Sequence, residues 1–426
     1  MIKEEKRVSR NGVEIYGYPS PYLHSFCLCL YVKAGPLYEN DIENGISHFF
    51  EHTAFRSINS ALGGELYRRA DMLGITMNAV TYKEFIQFKI TGAVEKFRES
   101  AELLCEIFTP FSVPKNEIDV ERKRIKSELR ESDEKNSLEY FSQKIVWQGT
   151  SLENTILGKN PVLDKVGQSA LRRAQRELLC PDNIFFYVTG NYGKDGLSQL
   201  SEIVGQKKLF SEKTLRCNSA PVPHSFGKRN ARIEIKNSKE HVVRFSFDMY
   251  SERYSTAELY LLYDILFTGE CSKIFKGLSD ESGMIYSYDA SIERYNNIGT
   301  LSFLYEVSAK DVVSSVEKVT ELLADLKKGI CDELLLTKPG YVVNADMLLD
   351  EPEELNFQLG YEYKIMGKQF VSLEERKKSF DDVTPERMTE IVREIFTTNN
   401  LVLTFKDSKK RLDAEKIRNI VNKLDG

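Results

Sequence analysis

Two stretches of this chain, 217 residues apart, follow one pattern, and that pattern limits the fold more than any other feature. Residues 176–188 and 393–405 each run from a helix end, through a polar turn holding asparagine, into an apolar strand. At the same offset, residues 26–32 face residues 243–249, and both read as strands, the second with clear alternation. A long helical segment follows each. Self-similarity at about half the chain length argues for a duplication, with two related domains of roughly 200 residues. Their expected extents are 1–206 and 231–426, joined by a linker at 207–230 rich in Lys, Ser, Pro and Gly. Strand patterns in the first half fall at 12–18, 26–34, 75–81, 84–92 and 183–189. Helical patterns fall at 44–55, 62–73, 94–108, 115–134, 138–147 and 168–179. Short strands among long helices predict an α+β fold, with helices packed on a mostly antiparallel sheet in each domain.

The halves differ at His48-Phe49-Phe50-Glu51-His52, which holds two of the chain's five histidines. On a helix, residues i and i+4 project from one face, and Glu51 lies beside that face. Packed core histidines are the plainer reading of either residue alone. Two imidazoles with an interposed carboxylate instead fit a zinc ion and a base for its water. The corresponding stretch of the second copy, residues 258–266, has no histidine. One domain therefore carries the metal, and the other serves architecture or substrate contact. A catalytic zinc needs a third protein ligand. The helix at 116–134 has an apolar stripe of Ile118, Ile125 and Leu129, and both Glu121 and Glu128 lie on or beside it. Buried acids need a partner, and a cation on that side would supply one. Helix geometry leaves a solvated acidic face open as the alternative.

Composition narrows the rest. The net charge of −5 comes from 59 basic and 64 acidic residues in an even mixture, and no basic stripe interleaved with aromatics suggests nucleic acid. The seven cysteines are scattered without a C-x-x-C pair, which argues against a disulfide framework or a cysteine zinc site and fits a cytoplasmic compartment. The first residues lack an apolar segment of the kind that opens a signal peptide, and no window is long and apolar enough to span a membrane.

Residues 44–55, Asn-Gly-Ile-Ser-His-Phe-Phe-Glu-His-Thr-Ala-Phe, closely resemble the signature of the pitrilysin/insulinase (M16) metallopeptidases, which include the mitochondrial processing peptidase. Met77-Asn78-Ala79-Val80-Thr81 is similar to that family's N-A-x-T strand, and Glu121-Arg122 with Ser127-Glu128-Leu129 is similar to its distal helix. The resemblance implies one zinc ion per chain, held by His48, His52 and Glu128, with Glu51 as general base and Glu121 orienting a histidine. It implies that Asn78, Ala79 and Thr81 belong to a substrate-binding strand to which a peptide adds as a further strand. It also implies that a half-length chain is one subunit of a two-chain clamshell.

One departure matters. The family's second domain usually carries an arginine and a tyrosine seven residues apart that contact substrate. Here Tyr286 is present, but the arginine position holds Ser279, which cannot supply a forked cationic donor. The expected assembly is a heterodimer with a paralogous subunit that supplies the missing arginine, a homodimer being the other arrangement. The expected activity is a zinc endopeptidase on short or unfolded peptides, such as the processing of a small precursor. The alternatives are a non-catalytic structural or peptide-binding subunit, and hydrolysis of non-peptide amides at the same zinc.

Overall fold

The computed structural model describes residues 4–132, 136–210, 219–368 and 372–426. The chain forms two compact units, each built on one sheet. In the first, the strands are β1 (Glu5–Val8), β2 (Glu14–Pro19), β3 (Ser25–Lys33), β4 (Thr76–Thr81), β5 (Phe85–Ala93) and β6 (Ile184–Gly190). Their order is β1-β2-β6-β3-β5-β4, antiparallel except for the β2–β6 pair. In the second, the strands are β7 (Arg232–Asn237), β8 (Val242–Met249), β9 (Tyr288–Arg294), β10 (Gly299–Glu306) and β11 (Leu401–Asp407). Their order is β7-β11-β8-β10-β9, with only β7–β11 parallel. With β1 set aside, the two sheets have the same order and the same strand directions. The stretches that betrayed the repeat are the paired inner strands β3 and β6 of one sheet and β8 and β11 of the other. The fold is α+β, with mostly antiparallel sheets carrying helices, as expected.

The β3 sequence, Ser-Phe-Cys-Leu-Cys-Leu-Tyr-Val-Lys, is buried along almost its whole length because both faces are covered. Phe26, Leu28, Leu30 and Val32 point into the main core of the unit, with Phe49, Phe50 and Ile58 from the helix Ile46–Ala61. Cys27, Cys29 and Tyr31 point the other way. That face is covered by the segment around Pro352–Gln358, which comes from the other end of the chain. Asn356 is fully buried there. Its amide donates to the carbonyls of Cys27 (3.1 Å) and Tyr187 (2.9 Å), and its side-chain oxygen accepts from the Tyr31 hydroxyl (3.0 Å).

The compact units are therefore discontinuous. The first comprises Met1–Ser132, Asn154–Asn218 and Asp346–Ser372, and the second Asp133–Glu153, Ser219–Ala345 and Leu373–Gly426. A division into continuous halves at 207–230 does not describe this exchange. The helix Leu138–Val146 forms where the sequence predicts one, but it covers the sheet of the second unit, where Ser142 bonds Thr404 and the Trp147 indole donates to Glu293 (3.1 Å). Below it, the buried pair Arg229–Asp248 (2.7 Å) is completed by a bond from Arg229 to the Val146 carbonyl (2.7 Å).

Candidate metal centre

The helix Ile46–Ala61 carries the histidines, and its start is fixed by an unusual cap. Gly45 holds a left-handed backbone, and a Cβ there would lie 2.7 Å from the Gly158 Cα, so no other residue fits without a shift. No side chain next to the helix caps it. The buried carboxylate of Glu39 instead accepts from the amides of Gly45 (2.8 Å) and Ser47 (2.9 Å) and from the Asn44 side chain (3.2 Å). Burial pushes the Glu39 carboxyl up, and these donors oppose the shift. The next helical turn thus begins from a rigid origin, and it carries His48, Glu51 and His52.

The helix Lys115–Glu131 packs beside it. Ile118 and Ile125 are buried on its inner face, together with Glu121, whose residue exposure is 2%. The 3.6-residue period then brings Glu128 onto the same side. The Glu128 carboxylate lies 3.7 Å from His48 Nε2 and 3.5 Å from His52 Nε2. Ligand atoms of His48, His52 and Glu128 all fall within 4.8 Å of one another. Two ligands on one tetrahedral zinc, each about 2.1 Å from it, are roughly 3.4 Å apart, so this donor set fits the ion with little adjustment.

The electrostatics agree. Burial, with the neighbouring His52, pushes His48 down to about 3, so its ring is neutral and able to ligate. Glu51 lies 3.8 Å from His48 Nε2 and accepts from the Thr81 hydroxyl (3.1 Å). Burial pushes the Glu51 carboxyl up to about 7, against the opposing pull of His52 and Thr81. Burial opposes charge on His52 as well, but the bond to Glu121 and the surrounding carboxylates raise its pKa.

Glu121 does not approach the ligand cluster with its own oxygen. It accepts from His52 Nδ1 (3.2 Å), which fixes the ring with Nε2 toward Glu128. Arg56 and Arg124 also donate to Glu121, the latter at 3.0 Å. These contacts outweigh burial and hold the Glu121 carboxyl below its usual range. Sequence reasoning missed both arginines. The signal was there: Arg56 stands four residues after His52 and Arg124 three after Glu121, each on the face that carries the site.

The strand β4 is the sheet's edge, paired only with β5. Thr81 is buried against Glu51, Ala79 is half-buried, and Asn78 is exposed, its side-chain oxygen accepting from the Ala79 amide (2.9 Å). All three lie on or beside the histidine site. A cleft of about 220 Å³ opens next to Glu51 and His52, walled by Phe55, Tyr67, Met77 and Arg124 and bounded by Asn78 and Ala79. Tyr286 belongs to the second unit, on the loop before β9, with its side chain almost wholly exposed. Ser279, at the expected arginine position, lies in the short helical segment Phe275–Asp280 of that unit.

A duplicated α+β chain with a His-His-Glu donor set and an adjacent half-buried glutamate has the architecture of a zinc-peptidase family. The chain belongs to peptidase family M16: residues 20–160 match the insulinase domain of that family, and residues 165–337 match the domain described as the M16 inactive domain. An uncharacterized zinc protease of Bacillus subtilis, YmxG, is 23% identical over 402 residues, covering 93% of this chain and 96% of that protein. Subunit 1 of the bovine mitochondrial cytochrome b-c1 complex is 26% identical over 144 residues, covering 33% of this chain and 30% of that protein. A protease of Helicobacter pylori has the same fold, with a TM-score of 0.81 at 17% identity, covering 96% of this chain and all of that one. No helix among the described residues is long and apolar enough to cross a membrane.

Proposed function

We propose that the chain is a zinc-dependent endopeptidase subunit that cleaves short or unfolded peptides. The observation that carries this reading is the half-buried Glu51 carboxylate beside the convergent His48, His52 and Glu128 donors. A zinc ion bound by those three residues would acidify a water and polarise the scissile carbonyl. Glu51 takes the proton of the attacking water and delivers it to the leaving amine. Its hydrogen bond from Thr81 sets the carboxylate's orientation for both transfers. Glu121 holds the His52 ring in one orientation and one tautomer. The free edge of β4 takes the substrate backbone as an added strand, which suits an extended peptide and excludes a folded one.

Ser279 in place of an arginine supports a heterodimer, in which a paralogous chain supplies the cation that Tyr286 lacks beside it. The six described cysteines are all free thiols, which supports a reducing, cytoplasmic setting. A second reading, a non-catalytic subunit, has support in the likeness to a cytochrome b-c1 subunit. Against it stands Glu51, since a scaffold has no use for a water-activating carboxylate between two ligands.

The test is zinc content measured with peptide turnover, for the chain alone and with a paralogous partner. Glu128→Ala loses most of its zinc. Glu51→Gln keeps its zinc and loses turnover by at least about a hundredfold. A fully active Glu51→Gln removes the general-base role, and an inert zinc-loaded wild type, alone and with partner, favours the scaffold. Full activity as an isolated homodimer removes the case for a different partner.

A further inference from the structure

The cleft beside Glu51 holds chemistry that the hydrolytic step does not use. Phe55, Met77 and Tyr67 line it, but Glu51, Arg56 and Arg124 line it too, and its surface is mainly polar. At about 220 Å³ it is smaller than the roughly 300–1,000 Å³ of pockets that take a whole small molecule, and it suits a single side chain. Because Glu51 and His52 themselves line it, that side chain belongs to a residue flanking the scissile bond.

Charge in the cleft is unbalanced in a specific way. Its two carboxylates are already committed. Glu121 is surrounded by three donors, from His52, Arg56 and Arg124, and Glu51 faces the metal donors and Thr81. Arg56 is also committed, bonding Glu117 (3.2 Å) as well as Glu121. Arg124 differs. Among the described residues it makes one hydrogen bond, to Glu121, and its side chain is 62% exposed at the cleft wall. Most of its five N–H donors therefore remain available to a guest.

Resting on the peptidase reading above, we propose that this cleft selects the substrate residue beside the scissile bond by charge. It accepts an acidic side chain and excludes lysine and arginine, with Arg124 as the specificity-determining residue. A guest carboxylate meets a guanidinium that can bind it through two parallel bonds. A guest cation meets Arg124 and Arg56 with no free acid to receive it, so exclusion comes from a repulsive element built into the wall.

The experiment uses the zinc-loaded full chain, with its partner if turnover requires one, and a matched set of fluorogenic peptides. Each flank of the cleaved bond is varied in turn among Phe, Glu and Lys. At one flank, kcat/KM for Glu exceeds that for Lys by about tenfold or more, with Phe as the uncharged reference. Arg124→Gln erases the preference for Glu over Lys, and Arg124→Glu inverts it. Zinc stoichiometry equal to wild type in both variants excludes loss of the metal site as the cause. A Glu-to-Lys ratio that Arg124→Glu leaves within twofold of wild type overturns the proposal while leaving the peptidase reading intact. If no peptide is cleaved, binding of the same set to zinc-loaded Glu51→Gln, read by fluorescence anisotropy, separates the two ideas. Charge-ordered binding that follows Arg124 sustains the selectivity without the hydrolysis, and binding blind to charge ends it.

Discussion

Removing Glu121 tests whether a residue that never touches the metal controls its affinity. The carboxylate is buried and has three donors, but they are not of equal weight. Arg124 is 62% exposed in its side chain, so its pair with Glu121 contributes little, about 0–1 kcal/mol. The His52 and Arg56 side chains are 15% and 22% exposed, and a hydrogen bond involving a charged group in such settings contributes about 1.5–3 kcal/mol. Glu121→Ala is therefore expected to destabilise the metal-free protein by about 3 kcal/mol, because Arg56 loses its main partner. The effect on zinc comes through the His52 bond alone. Losing the acceptor that orients a ligating histidine weakens metal binding about ten- to a hundredfold, or about 1.4–2.8 kcal/mol. Glu121→Gln keeps an acceptor for Nδ1 and loses only the charge, so it falls near tenfold, and Glu121→Ala near a hundredfold. Competition with a chelator of known affinity reads both values, and denaturant unfolding of the metal-free proteins reads the stability change. An alanine variant that binds zinc within twofold of wild type would refute the orienting role, whatever its stability.

Two further outcomes follow from the same geometry. The raised pKa of His52 means that its ring keeps a proton to a higher pH than the ordinary value of 6.5, and that proton must leave before Nε2 can ligate. Zinc affinity thus falls by about tenfold per pH unit below the His52 pKa, and calorimetry in buffers of different ionisation enthalpy detects the released proton; affinity flat between about pH 6 and 8 contradicts this. Asn356→Ala leaves the Cys27 and Tyr187 carbonyls without their buried donor and opens a small void, costing about 2–4 kcal/mol in denaturant unfolding, and a loss below about 0.5 kcal/mol shows that the covering segment is not anchored there.

The sequence was most legible where local pattern and core burial coincide. The five strands expected in the first half form within two residues of their predicted ends, because each alternates or runs apolar. The strand β1 was missed because Glu5–Val8 is exposed throughout and carries no apolar signal. The exchanged segments were also hidden, since which sheet face a helix covers is a long-range property that periodicity does not encode. At the site, His48, Glu51, His52, Glu121 and Glu128 come together because two helices present one face each, and faces can be counted from sequence. Glu39 could not be found this way, because it caps the helix from outside its first turn. Tyr286 lies on an exposed loop of the second unit, where no helical or strand period says what a side chain meets.

The exchange of covering segments has a consequence for how the protein is made. A ribosome that has released only the first two hundred residues has produced His48, His52 and Glu128, the whole candidate metal cluster, yet the β3 face bearing Cys27, Cys29 and Tyr31 is still bare. Completion of that half waits until residues 352–368 emerge, late in synthesis. Until then, the nascent chain presents an apolar sheet surface that a chaperone can shelter. The order of translation thus leaves the sheet that carries the histidine helix covered on one face only until the remaining half of the chain exists.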